Sequence, residues 1–159
     1  MARKVKAGKF KYNLATVLKV RGIREKKEQE KFAEKKREYL KEKEAEEKLR
    51  GKKRKEEDEI RQVFRRGPIS DFEKVMRKHS HLGILKKDIE TQVEKVIETS
   101  KILEDQREKL VTAMKDKKII EKDKQKTLEK YTKLMQDLEL KFLDEIATQR
   151  FTREHKQED

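Results

Sequence analysis

Three histidines and 33 carboxylates are the side chains that could hold a metal or move a proton. His79 and His81 stand two positions apart, so on a helix they point to different faces. His155 lies in a polar tail. A zinc site needs three or four converging ligands, and solvated or seam-edge histidines are the better reading. Acid–base work needs a pocket that shifts pKa values, and the pattern encloses no carboxylate. No Gly-rich phosphate loop ending in Lys-Ser or Lys-Thr is present. Cysteine is absent, which removes disulfides and thiolate metal sites. The reading is of a chain that is not an enzyme, with no catalytic residue, metal or cofactor.

What remains for chemistry is charge and exposed apolar surface. Residues 1–24 hold Arg3, Lys4, Lys6, Lys9, Lys11, Lys19, Arg21 and Arg24 and no acid, which is +8 of the net +13. Such an arm can bind phosphates through counterion release or dock on an acidic protein surface. Phe10 and Tyr12 accompany it, but no base-stacking pattern does. The run GKKRK at 51–55 is followed at once by Glu56, Glu57, Asp58 and Glu59, which cancel its field. It reads as a solvated helix face. At the other end, Leu140, Leu143, Ile146 and Phe151 exceed what a helix seam requires. That surplus suggests a docking site, or a thicker seam against Phe10, Leu14, Val17 and Leu18.

The elements that must position these residues follow from composition. Half of the 159 residues are charged, 32% are hydrophobic and none is Trp. That is too little apolar material for a globular core, which leaves disorder or long helices. One proline and five glycines permit long helices. No stretch is apolar enough for a signal core or a membrane span, so the chain reads as soluble and cytoplasmic.

Periodicity favours helix. A first helix is expected over about 9–66, with Leu14, Leu18, Arg21, Glu25, Glu28, Phe32, Lys35, Tyr39, Glu42, Glu46 and Leu49 along one seam. Local pairs such as Glu28–Lys31, Glu44–Lys48 and Glu46–Arg50 each add about 0.2–0.5 kcal/mol. In the second half, steps of three and four from Phe72 to Phe142 pass through Val75, Leu82, Ile89, Val93, Val96, Leu103, Leu110, Met114, Leu128, Tyr131, Met135 and Leu138. Fourteen of the 21 positions are apolar, about twice the chance level. The second helix is expected to run to about 153, with charged flexible ends at 1–8 and 154–159. The fold class is all-α, an elongated antiparallel two-helix coiled-coil hairpin. A parallel homodimer is the alternative.

The turn is expected somewhere within 67–83. Gly67-Pro68 is the clearest breaker, and Ser70 with Glu73 has capping-box spacing. A weaker break is possible at His79 to Gly83. A turn at Pro68 sets the polar gap at Lys117, Glu121 and Lys124 against Leu14 and Leu18. A turn near 80 sets it against the polar stretch around Tyr39 and Glu42. A kink at Gly67-Pro68 followed by a short helix and then the turn satisfies both.

The opening FKYNLATVLKVRGIREKKEQEKFAE, with its step Leu14, Val17, Leu18 and Arg21, resembles the start of the FliJ family of flagellar type III export stalk proteins. The ending LDEIATQRFTRE and the stretch REKLVTAMKDKKIIEKDKQKTLEKY are similar to that family's second helix. The resemblance implies an antiparallel coiled coil whose paired ends enter a hexameric export ATPase. It further implies contact with the cytoplasmic domain of the export gate and an escort role for export chaperones. The expected protein is a monomer in the assembled apparatus, peripheral at the inner membrane, with no nucleic acid bound. Leu14, Val17, Leu18, Arg21, Ile146, Arg150 and Phe151 are the expected ATPase contacts. Phe72, Met76, Leu82 and Leu85 are the expected gate contacts, Met76 and Leu85 being apolar yet off the seam. Rival readings are a basic coiled coil on nucleic acid or the ribosome, and the equivalent stalk of a virulence secretion system.

Overall fold

The computed structural model describes residues 9–66 and 72–155, with the side chains of 153–155 left out. Two helices account for nearly all of them: α1, Ala15–Arg65, and α2, Phe72–His155. The fold is all-α, an antiparallel two-helix coiled coil. Gly67-Pro68 and the Ser70 cap fall outside the described residues, as do residues 1–8 and 156–159 of the expected charged ends at 1–8 and 154–159, while 154 and 155 belong to α2. The chain groups into two units, one of 24–113 and one joining 1–23 to 114–159.

In the unit of 24–113 the helices run antiparallel, and three cross-contacts give the register. Gln106 reaches Glu28, Gln92 reaches Glu42, and Lys78 reaches Glu56. In each pair the two residue numbers add to 134. The helix α2 passes His79 to Gly83 without interruption, so no second break occurs there. Glycine at 83 lowers helix propensity by only about 1 kcal/mol, which the flanking seam residues Leu82 and Leu85 offset.

From Leu18 onward the α1 seam is the expected one, whereas Leu14, also expected in it, precedes α1 and is 40% exposed. Leu18, Arg21, Glu25, Glu28, Phe32, Lys35, Tyr39, Glu42, Glu46 and Leu49 are each half-buried. Half of the α2 seam differs. The row Val75, Leu82, Ile89, Val96, Leu103 and Leu110 is present as expected. The second row is Lys78, Leu85, Gln92, Thr99, Gln106 and Ala113, one residue before His79, Lys86, Val93, Ser100, Arg107 and Met114. Counting apolar residues favours the wrong row, because Phe72, Val93 and Met114 are more apolar than Lys78, Gln92 and Ala113. Hydrogen bonding decides the matter. Gln92 and Gln106 are buried and make cross-helix bonds to Glu42 and Glu28, which Val93 and an outward Arg107 could not supply.

Polar groups also line the seam near the start of α2. The Lys78 ammonium donates to Glu56 at 3.0 Å and to Glu59. This raises the Lys78 pKa, through Glu59 first and Glu56 second.

Candidate docking surface

The first described residues do not extend α1. Residues 9–14 are non-helical, and α1 opens at Ala15, whose amide meets the Tyr12 carbonyl at 3.3 Å. The expected helix start at residue 9 is therefore corrected to Ala15. The cause is Tyr12, which is buried and whose hydroxyl donates to Asp123 Oδ2 at 2.8 Å. A helix through residues 9–14 would carry that phenol around its axis rather than hold it on α2. Burial, and then the Asp123 carboxylate, raise the Tyr12 pKa. This bond also answers the polar gap in α2, since the stretch around Asp123 is met by a hydroxyl rather than by Leu14.

Two further contacts hold the same unit together. Phe10 packs on Tyr131 with ring centroids 5.4 Å apart and planes tilted by 50°. Arg21 Nη1 donates to the Asp116 carbonyl at 2.5 Å. An open groove of about 490 Å³ lies beside them, lined by residues of the lead and of α2.

The expected docking residues divide by exposure. Leu14 and Val17 are about 40% exposed, Phe151 is 62% exposed, and Arg150 is exposed. Leu18, Arg21 and Ile146 are half-buried, and Arg21 is engaged by Asp116. Val20, Ile23, Leu134, Leu138, Leu140 and Leu143 are also exposed, so the same unit offers more bare apolar surface than the expected residues alone. Phe10 and Tyr12 stand out in the sequence only as companions of the basic arm, and Tyr131 only as a seam position; nothing there pairs Tyr12 with Asp123 or Phe10 with Tyr131, although the polar interruption near Asp123 is a signal that something other than an apolar seam meets α2 there.

In the other unit, Phe72 is 65% and Met76 49% exposed, and Phe64 of α1 is 58% exposed. Leu82 and Leu85 are buried in the seam. The expectation that Leu85 lies off the seam is thus corrected, because Leu85 belongs to the row that Gln92 and Gln106 define. His79 and His81 are exposed, and His81 Nδ1 lies 3.4 Å from Glu56. Among the described residues no group of three or more His, Asp or Glu side chains could hold a metal ion. No described helix is long and apolar enough to cross a membrane.

Two long helices joined across a seam of mixed apolar and polar residues, with exposed apolar side chains near the start of α1 and the end of α2, define a coiled-coil protein that presents helical surfaces. Residues 10–156 match the model of the family described as Flagellar FliJ protein. The chain belongs to the FliJ family, and so to the components of flagellar type III export. None of the curated proteins and none of the solved structures compared with it matches.

Proposed function

We propose that this chain is the stalk-like coiled coil that binds the hexameric export ATPase, links it to the cytoplasmic domain of the export gate, and escorts export chaperones. It acts there as a monomer, in the cytoplasm and peripheral to the inner membrane through its partners. The observation that carries this reading is the exposure of apolar side chains in one unit, from Leu14 and Val17 on α1 and its lead to Leu140, Leu143 and Phe151 on α2. Water-exposed apolar patches of this kind mark contact surfaces. Leu14, Val17, Leu18, Arg21, Ile146, Arg150 and Phe151 are the ATPase-facing residues. Phe72 and Met76 face the gate, with Leu82 and Leu85 shaping that surface from beneath.

The test is co-purification of the export ATPase with the full chain. Val17→Glu with Phe151→Glu alters two exposed side chains and leaves the seam intact. The expected result is loss of co-purification with unchanged helicity by circular dichroism. Arg21→Glu with Arg150→Glu is expected to weaken it too. Retained binding in both pairs removes the ATPase contact. Gate binding is tested with Phe72→Ala and Met76→Ala, and motility unchanged by both removes the gate contact.

A further inference from the structure

The non-helical lead is pinned rather than loose. Tyr12 is its peg, buried and bonded to Asp123. Pinning the lead sets Lys9, Phe10 and Lys11 beside Thr127, Lys130, Tyr131, Leu134 and Met135 of α2, and these eight residues line the open groove of about 490 Å³. That volume lies within the range of sites that hold a few side chains or a small ligand. The floor is apolar: the tilted Phe10–Tyr131 pair, Met135, and Leu134 at 56% exposure. The rim is cationic, with Lys9, Lys11 and Lys130.

Three carboxylates on this stretch of α2 are already engaged. Asp123 accepts from Tyr12, Glu121 pairs with Lys117 at 3.6 Å, and Glu129 accepts from Gln125 at 3.2 Å. Among the described residues, none of Lys9, Lys11 and Lys130 pairs with an acid. Three cations without counterions around an apolar floor form a site complementary to anionic groups flanking an apolar one.

We infer that this groove takes a short acidic segment of a protein partner, seating one bulky apolar side chain between Phe10 and Leu134 with flanking carboxylates on Lys9, Lys11 and Lys130. The inference rests on the docking reading of this unit and adds the chemistry of the partner's contact. Nucleic acid fits less well, because base stacking needs an open ring face, and Phe10 and Tyr131 are packed on one another. A lipid surface calls for several protruding apolar side chains, whereas of the apolar residues here Phe10, Tyr131 and Met135 are half-buried and Leu134 alone is exposed. The alternative within the chain is that the lysines only solvate the lead, in which case reversing their charge changes no binding.

The experiment uses the full chain and three synthetic peptides. The first is an eight-residue peptide of glutamates around one central phenylalanine, the second has serine in place of the phenylalanine, and the third has lysines in place of the glutamates. Binding is followed by NMR shifts of the Phe10 and Tyr131 rings, with single-stranded RNA and anionic vesicles as competing probes. The expected result is binding of the first peptide at least tenfold tighter than either control. Lys9→Glu with Lys130→Glu is expected to weaken it at least tenfold, and Phe10→Ala to weaken it while leaving helicity unchanged. Equal binding of all three peptides, or a preference for RNA or vesicles that the lysine variants abolish, overturns the inference. The ATPase pull-down separates it from the docking reading. If Val17→Glu with Phe151→Glu abolishes co-purification and the lysine variant does not, the docking surface stands and the groove's role in it falls. If neither variant affects co-purification but the first peptide still binds selectively, the groove stands and the ATPase contact falls.

Discussion

Two buried glutamines tie the helices to one another through hydrogen bonds. Gln92 Nε2 donates to the Glu42 carbonyl at 3.0 Å and to its carboxylate at 2.6 Å. Gln106 repeats the arrangement on Glu28, at 3.4 Å and 2.5 Å. Each glutamine therefore reads both the backbone and the side chain of one glutamate, and a polar seam residue of this kind fixes register at some cost in stability. Replacing both with leucine is expected to keep or raise the thermal midpoint and to loosen the register. The chain has no cysteine, so introduced thiol pairs can report on this. Lys35→Cys with Thr99→Cys is expected to cross-link quickly in the parent chain, and Lys35→Cys with Ser100→Cys only after both glutamines are replaced. Equal cross-linking of the two pairs in the parent would show that the glutamines do not set the register. At Tyr12, substitution by phenylalanine keeps the ring and loses the bond to Asp123. Limited proteolysis is expected to cut the lead sooner, with α1 and α2 unaffected. Neither role was legible in the sequence. A glutamine in a polar helix looks like surface, and only the position of the partner helix makes it a clasp.

At the scale of the elements, helix identity was legible and helix phase only partly so. The α1 seam is plain because Leu18, Phe32 and Tyr39 stand in one row at multiples of seven, with Leu49 in the neighbouring seam row. On α2, the row containing Val75, Leu82 and Ile89 is flanked on one side by Leu85 and Ala113 and on the other by Phe72, Val93 and Met114. Periodicity cannot choose between two flanks that share a row. The start of α1 was missed for a different reason, since a contact 111 residues away in sequence, from Tyr12 to Asp123, overrides local propensity. Leu85 is buried to 4% exposure. Leu85→Ala is expected to cost about 2–3 kcal/mol in urea unfolding, near the low end for a buried leucine because a two-helix seam relaxes around the gap. Gly51 sits within α1, with open space where a Cβ would project. Gly51→Ala is expected to stabilise by about 0.5–1 kcal/mol, measured in the same way. A loss of stability there would mean that the helix needs the glycine.

At the scale of the whole molecule, charge governs the response to solution conditions. Glu28 is held below its ordinary pKa by Lys31 and then Gln106, Glu44 by Lys48, and Glu59 by Lys78. Carboxylates with lowered values stabilise the fold above the ordinary value near 4.5, and that contribution is lost as the pH falls through the lowered ones. Lys35, Lys78 and Tyr12 have raised values. Their contribution is complete below the ordinary values of 10.5 and 10.0 and is lost as the pH rises through the raised ones. The thermal midpoint is therefore expected to be flat through neutral pH and to fall at both extremes. Added salt should lower the plateau only slightly, because exposed pairs are individually weak. A midpoint that climbs steadily into acid would contradict these assignments. The two glutamine bonds have one more consequence, which is arithmetic. Gln92 and Gln106 stand fourteen apart, as do Glu42 and Glu28, like two matched teeth on a ratchet. A slip of seven residues sets the glutamines against Leu49 and Lys35, or against Lys35 and Arg21, and none of those side chains can accept their hydrogens. A slip of fourteen brings Gln92 level with Glu56 and Gln106 level with Glu42, and both bonds can form again. Were the chain cut between Arg66 and Phe72, the two halves would have two permitted notches about 21 Å apart, with no resting place between them.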